Sequence, residues 1–301
     1  MATIGIFDSG LGGLSVLRAC AAVLPGERYI YFADSAHCPY GEKSAAYIRE
    51  RSAEIADFLI GRGADIIVVA CNTATAAAIA FLRERYSDRS SDELRERVLS
   101  LSGGRRDHVM FIGMEPAVKP AALGTATGVI GVLATAGTLR GSKYLNTKGN
   151  YSGNCRICEK VGEGFVQLVE SGRTSGPEAE ETVRRSLEPL LREGADIIVL
   201  GCTHYPFLLG PMRKIAGEGI RFIDPAPAVA RHLADVLEEE GIPLRGVRLD
   251  SGERHPESAS CTANGLPEPA PAPAAARPVP DVELNSSGDP SSLRKMFSAI
   301  F

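Results

Sequence analysis

The sequence predicts an α/β protein built from two pseudo-symmetric domains with mainly parallel sheets, and three observations carry that reading. Strand-like apolar runs at 3–7, 28–33, 65–70, 109–113, 128–133, 196–201 and 220–223 alternate with amphipathic stretches such as 43–61 and 178–193. That alternation is the βαβα pattern of a parallel sheet. Near-continuous Ile/Val runs fit strands covered on both faces. The second observation is a repeated phrase: Gly63-Ala64-Asp65-Ile66-Ile67-Val68 leads to Cys71-Asn72-Thr73, and Gly194-Ala195-Asp196-Ile197-Ile198-Val199 leads to Cys202-Thr203-His204. The two cysteines are 202 − 71 = 131 positions apart. The third is length, since 301 residues exceed one ordinary domain.

The repeat extends beyond the cysteines. Ile4-Gly5-Ile6-Phe7-Asp8-Ser9 resembles Ile130-Gly131-Val132-Leu133-Ala134-Thr135, and Phe111-Ile112-Gly113 resembles Phe222-Ile223-Asp224. The first domain is expected over residues 1–107 and 228–301, the second over 108–227. Residues 87–107, rich in Ser, Asp and Arg, read as an exposed helix and turn leading to the second half. From 252 to 280 the apolar content collapses into a Pro/Ala stretch, expected to be a disordered insertion. Beyond it Asp289-Pro290 offers an N-cap and a first-turn proline, and Leu293, Met296, Phe297, Ile300 and Phe301 share one helical face. A docked terminal helix is expected there.

Composition excludes several classes. A formal net charge of −4 gives no electrostatic footprint for nucleic acid. No apolar run approaches the ~20 residues that span a bilayer, and Met1 leads into Thr3-Ile4-Gly5-Ile6-Phe7 without a leader pattern. No membrane segment and a cytoplasmic location are therefore expected. The seven cysteines are odd in number and irregular in spacing, which argues for reduced thiols.

Ligands of parallel sheets bind at the carboxyl ends of strands, where Asp8, Cys71 and Cys202 are expected. Asp8-Ser9-Gly10-Leu11-Gly12-Gly13 reads as a strand end and a turn that allows close backbone approach to a ligand. It lacks both the P-loop lysine and the full dinucleotide fingerprint. A cysteine at a helix N-terminus is acidified by the dipole, so Cys71 is expected to move from about 8.5 towards neutrality. One thiolate and one thiol on opposite sides of a carbon make a base and an acid, which is what inversion of a stereocentre needs. Two buried, inert cysteines are the plain alternative. Asp8 beside one thiol and His204 beside the other would tune the pair. Metal binding is disfavoured by ligand spacing, and Cys155-x-x-Cys158 lacks a partner pair in a Gly-, Ser- and Asn-rich loop. Cys38, beside Pro39-Tyr40-Gly41, is placed near the pocket.

These blocks resemble the cofactor-independent glutamate racemases of the aspartate/glutamate racemase family. The resemblance runs from Phe7-Asp8-Ser9-Gly10 through Pro39-Tyr40-Gly41 and Cys71-Asn72-Thr73-Ala74-Thr75 to Leu168-Val169-Glu170, Cys202-Thr203-His204-Tyr205-Pro206 and Asp224-Pro225. It implies two domains with an interdomain active-site cleft, no cofactor and no metal, and conversion between L- and D-glutamate for peptidoglycan synthesis. By the same resemblance Cys71 and Cys202 are the acid/base thiols, assisted by Asp8 and His204. Asp8, Ser9, Tyr40, Gly41, Asn72, Thr73, Thr203 and His204 bind substrate, with Glu170 a further acid near the site. A small-molecule substrate and a homodimer are the partners it implies. The sequence departs from the pattern at His37-Cys38, where an arginine is usual, and at Gln167, where a proline is usual. The first strand starts at Thr3, so control through an N-terminal extension is not expected. A racemase of another amino acid such as aspartate, or a binding protein retaining the cleft, are the alternatives; an arylmalonate-type decarboxylase would need one thiol rather than two.

Overall fold

The computed structural model describes residues 1–245 and 279–301. In chain order the strands are β1 (Thr3–Asp8), β2 (Arg28–Ala33), β3 (Ile66–Val69), β4 (Met110–Gly113), β5 (Val129–Ala134), β6 (Arg156–Val161), β7 (Ile197–Gly201), β8 (Arg221–Ile223) and β9 (Asp281–Ser286). The helices are α1 (Leu14–Val23), α2 (Ala45–Gly61), α3 (Asn72–Tyr86), α4 (Asp92–Leu101), α5 (Val118–Gly124), α6 (Ala136–Leu139), α7 (Ser142–Tyr151), α8 (Phe165–Glu170), α9 (Pro177–Arg192), α10 (Leu209–Ala216), α11 (Ala226–Glu239) and α12 (Pro290–Ile300). Among the described residues all pairings between strands are parallel.

The strands form two sheets, one ordered β4-β3-β1-β2-β9 and the other β6-β5-β7-β8. Reading β2-β1-β3-β4 against β6-β5-β7-β8 gives one arrangement used twice. Register agrees as well as order: Ile4 stands opposite Ile66 as Ile130 stands opposite Ile197. Met110 faces Ile66 as Arg221 faces Ile197. Both short phrases that resemble each other in the sequence are therefore equivalent positions of the two sheets.

That equivalence corrects the expected start of the second half at residue 108. Strand β4 is the counterpart of β8 and pairs with β3 in the first sheet, because its apolar Phe111 and Ile112 complete the two layers over that sheet. One of these layers joins α1 and α11 residues such as Leu17 and Leu233 to Ile4 and Val68. The other packs α2 and α3 residues such as Leu59 and Leu82 against Ile67 and Val69. The second sheet is covered by its own two layers. All four residues of β3 and all five of β7 are buried, as their unbroken apolar runs require.

Two strands escape the Ile/Val pattern. The segment expected to be loop around Cys155 and Cys158 contains β6, an edge strand whose Arg156, Glu159 and Lys160 break the apolar run. Cys155 and Cys158 contribute to different layers of the second sheet, and both are free thiols. Strand β9, which adds the outer edge beside β2, lies just after the Pro/Ala stretch. That stretch, expected at 252–280, falls outside the described residues up to residue 278. The terminal helix is present as α12: the Asp289 side chain accepts the Ser291 N–H at 3.0 Å, and Leu293 is buried against the first core while Met296, Phe297, Ile300 and Phe301 flank it.

Leu293 is 1% exposed, so Leu293→Ala is expected to cost about 2–5 kcal/mol of unfolding free energy through the cavity it leaves. Urea unfolding measures this; an unchanged midpoint would mean that α12 does not contribute its apolar face to the core.

Candidate active site

In each sheet two neighbouring central strands send their loops in opposite directions, which opens a crevice at their carboxyl ends. In the first sheet these strands are β1 and β3, which end on Asp8-Ser9 and run into Cys71. In the second they are β5 and β7, which run into Thr135 and Cys202. The two crevices meet in one narrow cleft. Ser9, Tyr40, Gly41, Cys71, Asn72 and Thr73 line it from the first half, and Cys202, Thr203 and His204 from the second. Nine of the residues singled out in the sequence thus line one cleft. Asp8 and Glu170 do not line it but hold residues that do.

Asp8 is fully buried and ties the halves together. Its Oδ2 accepts the Gly10 N–H at 3.0 Å, and its Oδ1 accepts the Thr203 hydroxyl at 3.1 Å. Burial pushes its carboxyl above the ordinary range, opposed by the charge of His204 and the Gly10 N–H. The glycines of the turn after β1 keep space for side chains of the second half. A Cβ on Gly10 would stand 2.1 Å from Glu170 Oε1, and one on Gly12 would stand 2.4 Å from His204 Nδ1. The turn is pressed against the second half, with the Leu11 N–H donating to Glu170 Oε1 at 2.7 Å.

Cys71 occupies the cap of α3, where its sulfur accepts the Ala74 N–H at 3.4 Å and its thiol donates to Ser9 Oγ at 3.7 Å. The helix terminus does not win. Burial dominates, with the Asp8 charge adding to it, and the thiol is pushed up to about 12. This corrects the expected acidification: a helix end acidifies an exposed sulfur, whereas here the walls exclude the water that would solvate a thiolate.

Cys202 follows β7 and lies 3.7 Å from His204 Nδ1. On its other side His204 Nε2 stands 2.6 Å from Glu170 Oε1. Burial opposes protonation of this histidine, but its bonds to Cys202 and Glu170 and the charges of Cys202 and Asp8 outweigh it. The imidazole is raised well above its usual range. The result is a chain in which buried Cys202 and His204 are backed by a part-buried Glu170 behind one side of the cleft.

The Pro39-Tyr40-Gly41 turn is held from outside. The Tyr40 hydroxyl donates to Asp34 Oδ2 at 2.6 Å, and Arg51 grips the same buried carboxylate. Gly41 packs against Thr135 across the cleft. Both polar side-chain atoms of Asn72 are buried without a partner among the described residues, the state of groups that a polar ligand satisfies. Sequence reasoning missed Thr135 and Val166 as wall residues. Thr135 was within reach, since the repeat aligns it with Ser9; its hydroxyl lies 2.8 Å from that of Thr73. Val166 carries no polar signal.

Comparison with known proteins places this arrangement. A model of the Asp/Glu/Hydantoin racemase family matches residues 106–233. A glutamate racemase from Ralstonia nicotianae is 46% identical over 236 residues, 78% of each chain. One from Roseiflexus is 42% identical over 265 residues, 88% of each chain. The chain belongs to the glutamate racemase family. Among solved members of the family, an isoform from Bacillus anthracis superposes with a TM-score of 0.71 at 26% identity, over 99% of this chain and 93% of that one. The Escherichia coli glutamate racemase, solved with L-glutamate and the activator UDP-MurNAc-ala, gives 0.68 at 33% identity, over 83% of this chain and 86% of that one.

With its thiol at about 12, the unliganded protein holds only about one part in 10⁴ of Cys71 as thiolate near pH 8. Alkylation of Cys71 by iodoacetamide, followed by peptide mass spectrometry, is expected to accelerate about tenfold per pH unit between roughly pH 7 and 10. A plateau near neutrality would contradict the buried, neutral thiol.

Proposed function

We propose that the chain interconverts L- and D-glutamate by a two-thiol proton transfer and so supplies D-glutamate for peptidoglycan synthesis. The observation that carries this reading is the placement of Cys71 and Cys202 at equivalent strand ends of two like sheets, both lining one cleft. One sulfur, as thiolate, removes the α-proton; a planar carbanionic intermediate forms; the other sulfur returns a proton to the opposite face. No cofactor is called for in this sequence of steps.

Asp8 and His204 assist the two thiols. His204 lies within reach of the Cys202 sulfur and is backed by Glu170. Asp8 acts on the Cys71 side through its charge and holds Thr203 in place. Arrival of an α-ammonium beside Cys71 offsets its desolvation, since an opposite charge within about 4–6 Å shifts a group by roughly 1–3 pH units. Ser9, Asn72, Thr73 and Thr203 offer short hydroxyl and amide groups for the substrate's carboxylates and amine, and the Tyr40-Gly41 turn closes the wall beside them. Reduced thiols are required throughout, which supports a cytoplasmic location; among the described residues, no helix is long and apolar enough to cross a membrane. Assembly as a homodimer is part of the same reading, and size-exclusion chromatography with light scattering tests it.

In D2O, either enantiomer of glutamate is expected to yield the opposite one carrying deuterium at Cα, with aspartate turned over far more slowly. Cys71→Ala and Cys202→Ala are each expected to cut turnover by at least about 10²–10⁴-fold, the usual contribution of a general acid or base, with the circular dichroism spectrum unchanged. Full activity in either variant would sink the two-thiol mechanism, and equal turnover of aspartate would overturn the choice of substrate.

A Gly12→Ala substitution tests the contact between the glycine turn and His204. Its new methyl displaces the imidazole, and a misplacement of about 1 Å in a catalytic group costs roughly 10²-fold in rate. Turnover is expected to fall by that order, with the melting temperature lowered by the overpacking but the fold retained; unchanged turnover would remove His204 from the proton path.

A further inference from the structure

We propose that Cys38, Glu170 and His204 form a site for a soft divalent cation, zinc in the first instance, whose occupation shuts the active site down. The donor atoms of these three side chains all lie within 4.8 Å of one another. They come from three separate segments: the turn after β2, the end of α8 and the loop after β7. Bonds of about 2.0–2.3 Å to nitrogen, oxygen and sulfur place tetrahedral donors roughly 3.3–3.7 Å apart. The present separations, from 2.6 Å between Glu170 and His204 up to that 4.8 Å limit, bracket this range. Small side-chain rotations close the set.

The chemistry of the donors selects the cation. A thiol, an imidazole and a carboxylate make the mixed set that favours zinc over magnesium or calcium, with a fourth position left open. Cys38 is the unspent member: its thiol makes no hydrogen bond among the described residues, and it is half-buried. The other two donors are already oriented. Glu170 Oε1 accepts the Leu11 N–H, and His204 Nδ1 faces the Cys202 sulfur, which leaves Nε2 on the side of Glu170 and Cys38. Outer contacts of this kind are what fix ligands in metal sites. Gly10 leaves the space in which the donors converge, since a Cβ there would lie 2.1 Å from Glu170 Oε1 and 3.2 Å from the Cys38 sulfur.

On binding, the Cys38 S–H bond breaks, its proton passes to solvent and a metal–sulfur bond forms, with no change of oxidation state. The cation also displaces the proton between His204 Nε2 and Glu170 Oε1, which passes to solvent, so two protons are released for each ion bound. Inhibition follows from the role of His204 under the proposed function; the binding itself does not depend on that role.

Cobalt(II) is the probe, added to the full-length, reduced and chelator-treated chain. A thiolate-to-cobalt charge-transfer absorption is expected to saturate at a single ion per chain. It is expected to persist in the Cys71→Ala/Cys202→Ala double variant and to vanish in Cys38→Ser. In parallel, Cys38→Ser is expected to keep basal racemisation while the zinc concentration for half-inhibition rises at least about tenfold. Cys38→Ala serves the same end if the serine variant misfolds. The proposal is overturned if wild-type protein gives no absorption, if the absorption survives loss of Cys38, or if it requires Cys71 and Cys202. Because the absorption needs no turnover, it tests the metal site even if the chain does not racemise glutamate.

Discussion

The buried carboxylate of Asp8 is the contact on which the rest of the site depends. It sits at the end of β1, the central strand of one sheet, yet one of its oxygens is satisfied by Thr203, which follows β7 of the other. A carboxylate taken wholly out of water is tolerated only when hydrogen-bonded. Asp8 therefore fixes the distance between the two halves at the place where the thiols face the cleft. The Ser15 hydroxyl, donating to the Thr203 carbonyl at 3.1 Å, and the Leu11 N–H, donating to Glu170, fasten the same junction from α1 and its turn.

The two halves share a frame but not a surface. Equivalent strand ends carry Ser9 and Thr135, then Cys71 and Cys202, so hydroxyl and sulfur groups repeat. The charged groups do not repeat: Asp8 has Ala134 as its counterpart, and His204 has Thr73. In the proposed reaction the repeat presents a sulfur to each face of the α-carbon. The unlike neighbours distinguish the two ends of the substrate. A perfectly symmetric site would have no means of telling an α-carboxylate from a side-chain carboxylate.

Most of the frame was legible because buried parallel strands must be apolar throughout. Seven of the nine strands among the described residues stand where apolar runs predict them. The other two, β6 and β9, are outer strands carrying charged residues, and edge positions do not enforce an apolar run. The assignment of β4 to the first sheet was present in the repeat, through the likeness of Phe111 to Phe222, but proximity along the chain pointed the other way. In the site, residue types at strand ends located the thiols and their hydroxyl neighbours. The state of Cys71 was not legible, since a helix cap and a dry wall act in opposite senses and only packing decides between them. The same holds for the approach of Cys38 to Glu170 and His204, which joins segments 132 positions apart in the chain (170 − 38).

The high position of the Cys71 thiol bears on how such a site can work at all. A thiolate near neutrality would be plentiful but a weak base, and the proton on the α-carbon of an amino acid is held tightly. A sulfur whose proton leaves only near 12 is a stronger base once formed. The difficulty is forming it, and the walls that exclude water also strengthen any charge brought in with the substrate. An α-ammonium entering the cleft therefore does most for the thiolate in the place where solvent does least. In the proposed reaction base strength and substrate binding are coupled through the same burial, which holds the Cys71 thiol protonated in the free protein and magnifies the effect of a charge brought in by the substrate.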